Sequence, residues 1–169
     1  PVMSRGLGDV YKRQLPFFGV LIGIGIFPGY LIFNAVENWS VSAGNDGLIH
    51  SLWFCIGLGM GYIAGGLGVV LVTGIFGAIF ALRGREGRFP LKSMITIRWG
   101  IALVFHRVAL LFLSTIVPSM FSTLYYKLMG LNMGNGVIIN SSRINDAPMI
   151  TLGDGVVAVS YTHLRAHET

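Results

Sequence analysis

Few residues of this 169-residue chain are of types that perform chemistry. The histidines are His50, His106, His163 and His167, and Cys55 is the only cysteine, which excludes an intrachain disulfide. Only His163 and His167 have a spacing that would place two metal ligands on one face of a helix. His106 can act as an acid or base beneath a membrane, and we interpret it as an interfacial histidine. With no phosphate-binding loop and no Ser-His-Asp arrangement, the sequence predicts no catalytic residue and no metal site.

A group of basic residues in the middle of the chain is the second candidate for chemistry. Four of them fall within residues 83–92, RGREGRFPLK, and two more follow closely. Such a group attracts anionic lipid headgroups, at about 1 kcal/mol per base near the surface. A sharper role is to grip a phosphate-bearing donor such as coenzyme A or a carrier-protein arm. The predicted membrane-surface basic cluster comprises Arg83, Arg85, Arg88, Lys92, Arg98 and Arg107.

The composition predicts the elements that carry these residues. Hydrophobic residues make up 53% of the chain, charged residues 11%, and the mean hydropathy is +0.71, which is typical of a membrane protein. Residues 15–36 and 48–82 contain no charge, and each segment is long enough to cross a hydrocarbon core. We expect two transmembrane helices, with glycines at four-residue spacing for close packing. For 48–82 we favour one long helix over two helices that break near residues 65–68.

Residues 93–118 are apolar but contain two arginines and a histidine, which are costly inside a bilayer unless they are paired. No acidic residue lies between Glu86 and Asp146 to pair them. We therefore predict an interfacial or re-entrant helix here, with a full span as the alternative, and a linker helix within 119–132. By the positive-inside bias the basic cluster faces the cytoplasm. This predicts a multi-pass protein of the cytoplasmic (inner) membrane.

A six-residue phrase occurs twice near the end of the chain. Met133–Ile138, MGNGVI, and Leu152–Val157, LGDGVV, both contain an aliphatic residue, Gly, Asn or Asp, Gly and two β-branched residues. The phrases begin 19 residues apart (133 to 152), which is three hexads plus one residue and describes one turn of a triangular β-solenoid. A β-hairpin with two Asn/Asp-Gly turns is the alternative. The predicted solenoid corners are Gly134, Asn135, Gly136, Gly153, Asp154 and Gly155.

The residues around this repeat resemble a known family. Tyr126–Gly130, YKLMG, followed by the two phrases resembles the start of a hexapeptide-repeat, left-handed β-helix acyltransferase. The resemblance is closer to the membrane-anchored branch found as the terminal region of ε-poly-L-lysine synthetase-like nonribosomal peptide synthetases. Gly87–Leu91, GRFPL, is similar to a Gly-x-Tyr-Pro-Leu segment between membrane helices in that branch. The matching stretches cover about residues 83–157.

The resemblance implies both a fold and an activity. The fold is a mainly α membrane protein, with two transmembrane helices plus an interfacial or re-entrant helix, followed by the truncated start of a left-handed β-helix over residues 133–158. The activity is acyl transfer or peptide-bond formation, with coenzyme A or a carrier-protein thioester as donor in the full protein. The family's catalytic histidine comes from a later coil, so this chain is expected to be inactive and to hold no cofactor.

The implied partners are the lipid bilayer, the remainder of the β-helix domain and a peptidyl carrier protein; nucleic acid is not expected. The alternative function is a non-enzymatic integral membrane component with a short β-solenoid cap.

Both ends of the chain have sequences foreign to this pattern. Residues 3–14, MSRGLGDVYKRQ, and residues 160–169, SYTHLRAHET, resemble translated sequencing-adaptor ends that recur in fragmentary metagenomic genes. We therefore set residues 1–14 and 159–169 aside as artefacts, together with the His163 and His167 pair. We expect the remaining chain to be truncated at both ends.

Overall fold

The structure, a computed structural model, describes residues 2–80, 88–90 and 93–159, with side chains from residue 16 onward. It divides into two compact units, residues 1–73 and 74–169, and the boundary falls within the second helix. The described residues are mainly helical, with short strands near the C-terminal end of the described range. The helices are α1 (Val2–Ser42), α2 (Gly47–Phe80), α3 (Met94–Ile116), α4 (Met120–Leu128) and a 3-10 helix (Ala147–Met149). The strands are β1 (Asn132–Met133), β2 (Ile138–Asn140), β3 (Thr151–Leu152) and β4 (Val157–Val159).

Three helices are long and apolar enough to cross a membrane. They cover Pro16–Ser42, Gly47–Phe80 and Met94–Ile116. The second runs without a break through residues 65–68, as we favoured from the sequence. The third, α3, qualifies by the same criteria of length and composition as the two predicted spans, and its interfacial or re-entrant position stays a prediction.

In the first unit, α1 and α2 approach each other closely at glycines. A methyl group added at Gly29 would lie 2.8 Å from the amide nitrogen of Gly65 and would also collide with the carbonyl oxygen of Gly61. A methyl group added at Gly23 would meet nothing within 4 Å. Only some of the glycines at four-residue spacing therefore serve the contact between these two helices.

The helix α1 ends later than the sequence pattern predicted. It continues past Val36 to Ser42, so that the connection to α2 is only residues 43–46. Residues 37–43 contain no glycine or proline, and the helix ends just before Gly44, which has a φ of +73°. The extra turn is held in place because the Trp39 ring packs edge-on against Trp53, with ring centroids 4.6 Å apart.

In the second unit, two serines begin the helices that lead to the strands. The Ser93 hydroxyl accepts a hydrogen bond from the backbone amide of Thr96 at 3.2 Å and so caps α3. After a cis Val117–Pro118 peptide bond, Ser119 caps α4 through a reciprocal capping box with Ser122. The predicted linker helix therefore exists and lies over Met120–Leu128.

The strands pair in parallel with a constant offset of 19 residues. Strand β1 pairs with β3 (Asn132 with Thr151), and β2 pairs with β4 (Ile138 with Val157 through Asn140 with Val159). A β-hairpin would require antiparallel pairing, so that alternative is wrong. Within the described residues the strands form two separate two-stranded parallel pairs and do not form a closed β-helix.

The helix α4 covers one end of this stack. Tyr126 is fully buried, and its hydroxyl donates to the carbonyl oxygen of Ser141 at 3.3 Å. Beneath it, Leu131, Ile139 and Ala147 are at most 4% exposed. These side chains form a small apolar core between α4 and the first repeat, and burial of this core ties the strands to the helical part of the second unit.

Candidate functional site

A small cavity lies between α3 and residues 144–149, which follow the first repeat. Its inner wall is buried, because Ala102, His106 and Met129 are at most 7% exposed. Trp99 and Asp146 line its exposed side. The cavity volume is ≈ 30 Å³, about that of one or two water-sized groups.

The position of these residues on α3 follows from helical periodicity. Trp99, Ala102, Leu103 and His106 are spaced i, i+3, i+4 and i+7 and share one face of the helix. All four line the cavity. The sequence pattern thus carries a signal for this face, but the residues that close the cavity come from distant parts of the chain.

The imidazole of His106 is buried and only half satisfied. Its Nδ1 lies 2.9 Å from the Tyr125 hydroxyl, and the two rings stack with centroids 5.9 Å apart. Its Nε2 has no hydrogen-bond partner in the part of the chain that the structure describes. A buried polar atom without a partner costs about 1–3 kcal/mol. We predicted an interfacial histidine; the structure places His106 at 4% exposure, against α4, with one ring nitrogen buried and without a partner among the described residues.

Burial also raises the pKa values of the two tyrosines beside His106. Burial raises the pKa of the Tyr125 phenol well above its ordinary range, and Tyr126 adds to the shift. Burial raises the pKa of Tyr126 to about 12, although a backbone hydrogen bond from Ile144 opposes it. Both hydroxyls therefore stay protonated near neutral pH and remain available as hydrogen-bond donors.

Asp146 is held in place by its backbone and by Trp99. The Trp99 indole N–H donates to Asp146 Oδ1 at 2.6 Å. Asp146 has φ 54° and ψ 40°, and it is the only non-glycine residue with positive φ in the described ranges. A short polar side chain tolerates this left-handed conformation better than a bulky one. Asp146 immediately precedes the 3-10 helix, and its carboxylate bonds to α3 and lines the cavity.

The structure describes only part of the predicted basic cluster. Arg88 is exposed, and Arg98 donates to the carbonyl oxygen of Ile79 at 3.1 Å, near the end of α2. Arg107 is exposed nine residues further along α3. Nine residues correspond to about 13.5 Å of rise and two and a half turns, so Arg98 and Arg107 lie on opposite faces. The remaining members, Arg83, Arg85 and Lys92, lie outside the described residues, and the cluster as a whole stays a prediction.

The predicted corners stack on one another. Turns occur at residues 135–136 and 154–155, where Gly136 has φ 70° and Gly155 has φ 69°. The backbone amide of Asn135 donates to Asp154 Oδ1 at 2.6 Å, and the amide of Gly155 donates to the Asn135 carbonyl at 2.8 Å. Positive φ is thus confined to the second glycine of each phrase, while Asp154 links the two turns. Gly134 and Gly153 precede these turns.

In the first unit, a cluster of polar side chains connects the end of α1 to the start of α2. His50 Nε2 lies 3.3 Å from Glu37 Oε1, and its Nδ1 lies 3.4 Å from the hydroxyl of the buried Ser40. Asn45 donates to the same hydroxyl at 3.5 Å. These contacts are local to the connection between α1 and α2. They give His50 a structural role in hydrogen bonding at the start of α2.

The sequence predicted no catalytic residue and did not predict the cavity. His106 and Tyr125 are 19 residues apart, and Trp99 and Asp146 are 47 apart, so neither pair follows from local periodicity. Among the described residues, no group of three or more His, Cys, Asp or Glu side chains is placed to hold a metal ion. No protein-family model, curated protein or solved structure matches the chain.

Proposed function

We propose that this chain is the membrane anchor and the first coil of a hexapeptide-repeat acyltransferase or peptide-bond-forming transferase. The observation that carries the proposal is the parallel pairing of the two hexad phrases at a constant offset of 19 residues. An offset of three hexads plus one residue is what a three-sided coil with one inserted residue requires. The inserted residue falls within residues 141–150, where a left-handed Asp146 precedes the 3-10 helix.

The arrangement of α4 supports a solenoid that begins at this point. Stacked repeats need a terminal unit that covers the first hydrophobic layer, because each repeat contacts only its neighbours. Tyr126 of α4 is buried and its hydroxyl bonds to the Ser141 carbonyl of the first repeat, where Leu131 and Ile139 are also buried. We assign α4 this capping role, with the coils of a left-handed β-helix following from residue 133.

The second repeat offers a surface for further coils. Ala158, which pairs with the 1% exposed Ile139 of the first repeat, is only partly buried, and among the described residues no strand pairs with the far side of β4. An apolar edge strand of this kind is normally covered by a further strand or coil. The remainder of the β-helix domain is the partner that fits this surface, and the catalytic coils belong to it.

In this proposal the helices place acyl transfer at the inner face of the cytoplasmic membrane. The donor is a thioester of coenzyme A or of a peptidyl carrier protein, and the acceptor is an amine or a hydroxyl. The predicted basic cluster provides attraction to phosphate groups on that side of the bilayer. The helix α3 then lies in the interface, which keeps the repeats on the cytoplasmic side.

The test is to recover the continuous reading frame around residues 15–159 and to express it in membranes with an acyl-thioester donor. We expect several further hexads in the same register, with an embedded histidine, and release of free thiol that depends on added acceptor. A stop codon just after Val157 would leave no catalytic coils and would support the non-enzymatic membrane component instead. A topology reporter fused after Val157 tests the orientation, and activity only on the periplasmic side would contradict it.

A further inference from the structure

We infer that the outer face of α4 lies in the interface of a lipid bilayer, with its apolar side chains among the acyl chains and Lys127 at the level of the phosphate groups. Lipid contact of this kind needs no transfer reaction, so it is separate from the proposed function. Three features of the molecule support it: the side chains that α4 turns outward, the position of α4 after α3, and the charge at the end of α4.

The outward side chains of α4 are apolar apart from one lysine. Met120 is 77% exposed, Leu124 is 44% exposed and Phe121 is 39% exposed, and Lys127 is exposed at the C-terminal end. At about 100° per residue these four side chains fall within about 120° of the helix circumference. They therefore form one continuous outer face.

The inward side chains of α4 are polar and already bonded. Ser122, Tyr125 and Tyr126 are at most 1% exposed. The Tyr125 hydroxyl lies 2.9 Å from His106 Nδ1, and the Tyr126 hydroxyl donates to the Ser141 carbonyl at 3.3 Å. A helix in water normally turns its apolar side chains toward the core. Because a rotation of α4 would break these hydrogen bonds, the apolar outer face needs an apolar environment of its own.

The position of α4 in the chain brings this face to a membrane. The helix α3 is long and apolar enough to cross a bilayer; it ends at Ile116, and α4 begins at Met120. Whether α3 spans the bilayer or lies in the interface, its end is at a bilayer boundary. The four residue steps from Ile116 to Met120 cover at most about 14 Å. The helix α4 therefore begins close to the bilayer surface.

The charge of the outer face fits anionic phosphate groups. Residues 117–131 contain no acidic residue. A lysine can lay its stem along apolar surface and keep its ammonium group at the headgroups. A second copy of this face would add another lysine and no acid, so anionic lipid is the better complement. The missing coils are no alternative, because they stack on β4 and α4 covers the other end of the repeats.

Contact of α4 with lipid also fixes where the first coil begins. Gly130, with φ 97°, follows the end of α4, and β1 begins at Asn132, five residues after Lys127. The first coil is thereby held at the membrane surface.

The experiment uses the whole chain in nanodiscs of phosphatidylcholine and phosphatidylglycerol, in a Cys55→Ala background that removes the only cysteine. A nitroxide spin label is attached to a single cysteine introduced at Met120, Leu124 or Met149. Met149 is the matched control, because it is a methionine that is 63% exposed beside the repeats. Power saturation of the electron paramagnetic resonance signal compares collisions with oxygen, which dissolves in lipid, and with a nickel chelate, which stays in water.

We expect the labels at Met120 and Leu124 to collide more often with oxygen than with the nickel chelate, at a depth of about 5–10 Å. The label at Met149 should show the reverse. Lys127→Glu should raise the nickel collision frequency at Leu124 severalfold, because it reverses the charge that faces the phosphate groups. Lys127→Arg, which keeps that charge, should leave the frequency unchanged.

More collisions with nickel than with oxygen at Met120 and Leu124 would place the face in water and overturn the inference. Few collisions with either reagent would show a protein partner, such as a second copy, and would overturn it too. So would equal values at Met149 and Met120, or equal values in Lys127→Glu and Lys127→Arg.

The measurement contains no acyl donor, so its result is independent of the proposed function. If the extended protein transfers acyl groups while α4 faces water, only this inference fails. If α4 lies in lipid and no transfer occurs, only the proposed function fails.

Discussion

Replacing Gly134 by alanine should loosen the stacked repeats, whereas the same change at Gly153 should not. The two glycines occupy the same position in the two phrases, 19 residues apart, and neither has a positive φ. A methyl group at Gly134 would lie 2.7 Å from the amide nitrogen of Asp154 and 2.9 Å from the carbonyl carbon of Gly153. A methyl group at Gly153 would meet nothing within 4 Å. The pair therefore differs only in whether another repeat lies against it.

The expected loss of stability in Gly134→Ala follows from the atoms that must move. Besides these two backbone atoms, the methyl group would meet Asp154 Oδ1, which accepts from the Asn135 amide, so the turn of the second repeat has to shift as a whole. Added methyl groups in packed regions cost about 1–3 kcal/mol. The shift also strains the bond from the Gly134 amide to the Leu152 carbonyl, at 2.9 Å, and a hydrogen bond contributes about 0.5–1.5 kcal/mol. We expect a loss of about 2–3 kcal/mol.

Hydrogen exchange followed by mass spectrometry reports this loss directly in the repeats. At about 1.4 kcal/mol per tenfold change, the amides of residues 131–159 should exchange about 30 to 140 times faster in Gly134→Ala. Those of α1 should be unchanged. In Gly153→Ala the exchange rates should equal those of the parent chain or fall slightly, since alanine restricts the unfolded chain. Equal rates in the two variants would refute the stacking of one repeat on the other.

Three further perturbations test the rest of the molecule. Gly29→Ala should lower the free energy of unfolding of the first unit by about 1–3 kcal/mol, measured by thermal denaturation in detergent, because the methyl group meets backbone; Gly23→Ala, in open space, is its control. Because burial raises the folded-state pKa of Tyr126 from 10.0 to about 12, the contribution of the neutral phenol to stability should be constant below pH 10 and lost as the pH rises through 12. In Tyr126→Phe the phenolate absorbance titration should lose a component near pH 12. An unchanged titration would contradict the burial of Tyr126. Arg98→Gln should speed exchange in the last turn of α2 by the equivalent of about 0.3–1 kcal/mol, whereas Arg107→Gln should not.

Patterns of short range made much of the fold predictable. The uncharged lengths of residues 15–36 and 48–82 predicted helices because a helix in lipid needs about 20 apolar residues. The predicted end of α1 was wrong by six residues, since polarity alone does not end a helix and the first glycine or proline after Val36 is Gly44. The 19-residue spacing of the two phrases predicted their stacking, because only a parallel arrangement brings equivalent turns together.

The cavity lay beyond sequence reasoning for a physical reason. His106 looked like a lone polar residue on an apolar helix, and its meaning depends on Tyr125, which α4 returns to α3 after the turn at Pro118. Asp146 precedes a 3-10 helix, and its carboxylate reaches Trp99 only because the first repeat folds back toward α3. Contacts of this kind depend on the packing of the second unit and are not encoded in any local period.

The central claim is that the two phrases are successive coils in parallel register, and disulfide cross-linking tests it most directly. In a Cys55→Ala background, Ile138 and Val157 are replaced together by cysteine; both are exposed and paired. Parallel neighbours are about 4.8 Å apart, within the range for a disulfide. We predict rapid cross-linking for this pair and for Asn140 with Val159, and almost none for Ile138 with Val159, about 8 Å apart in this register. Cross-linking of only one of the two register pairs, or equal cross-linking of the out-of-register pair, would contradict the parallel solenoid.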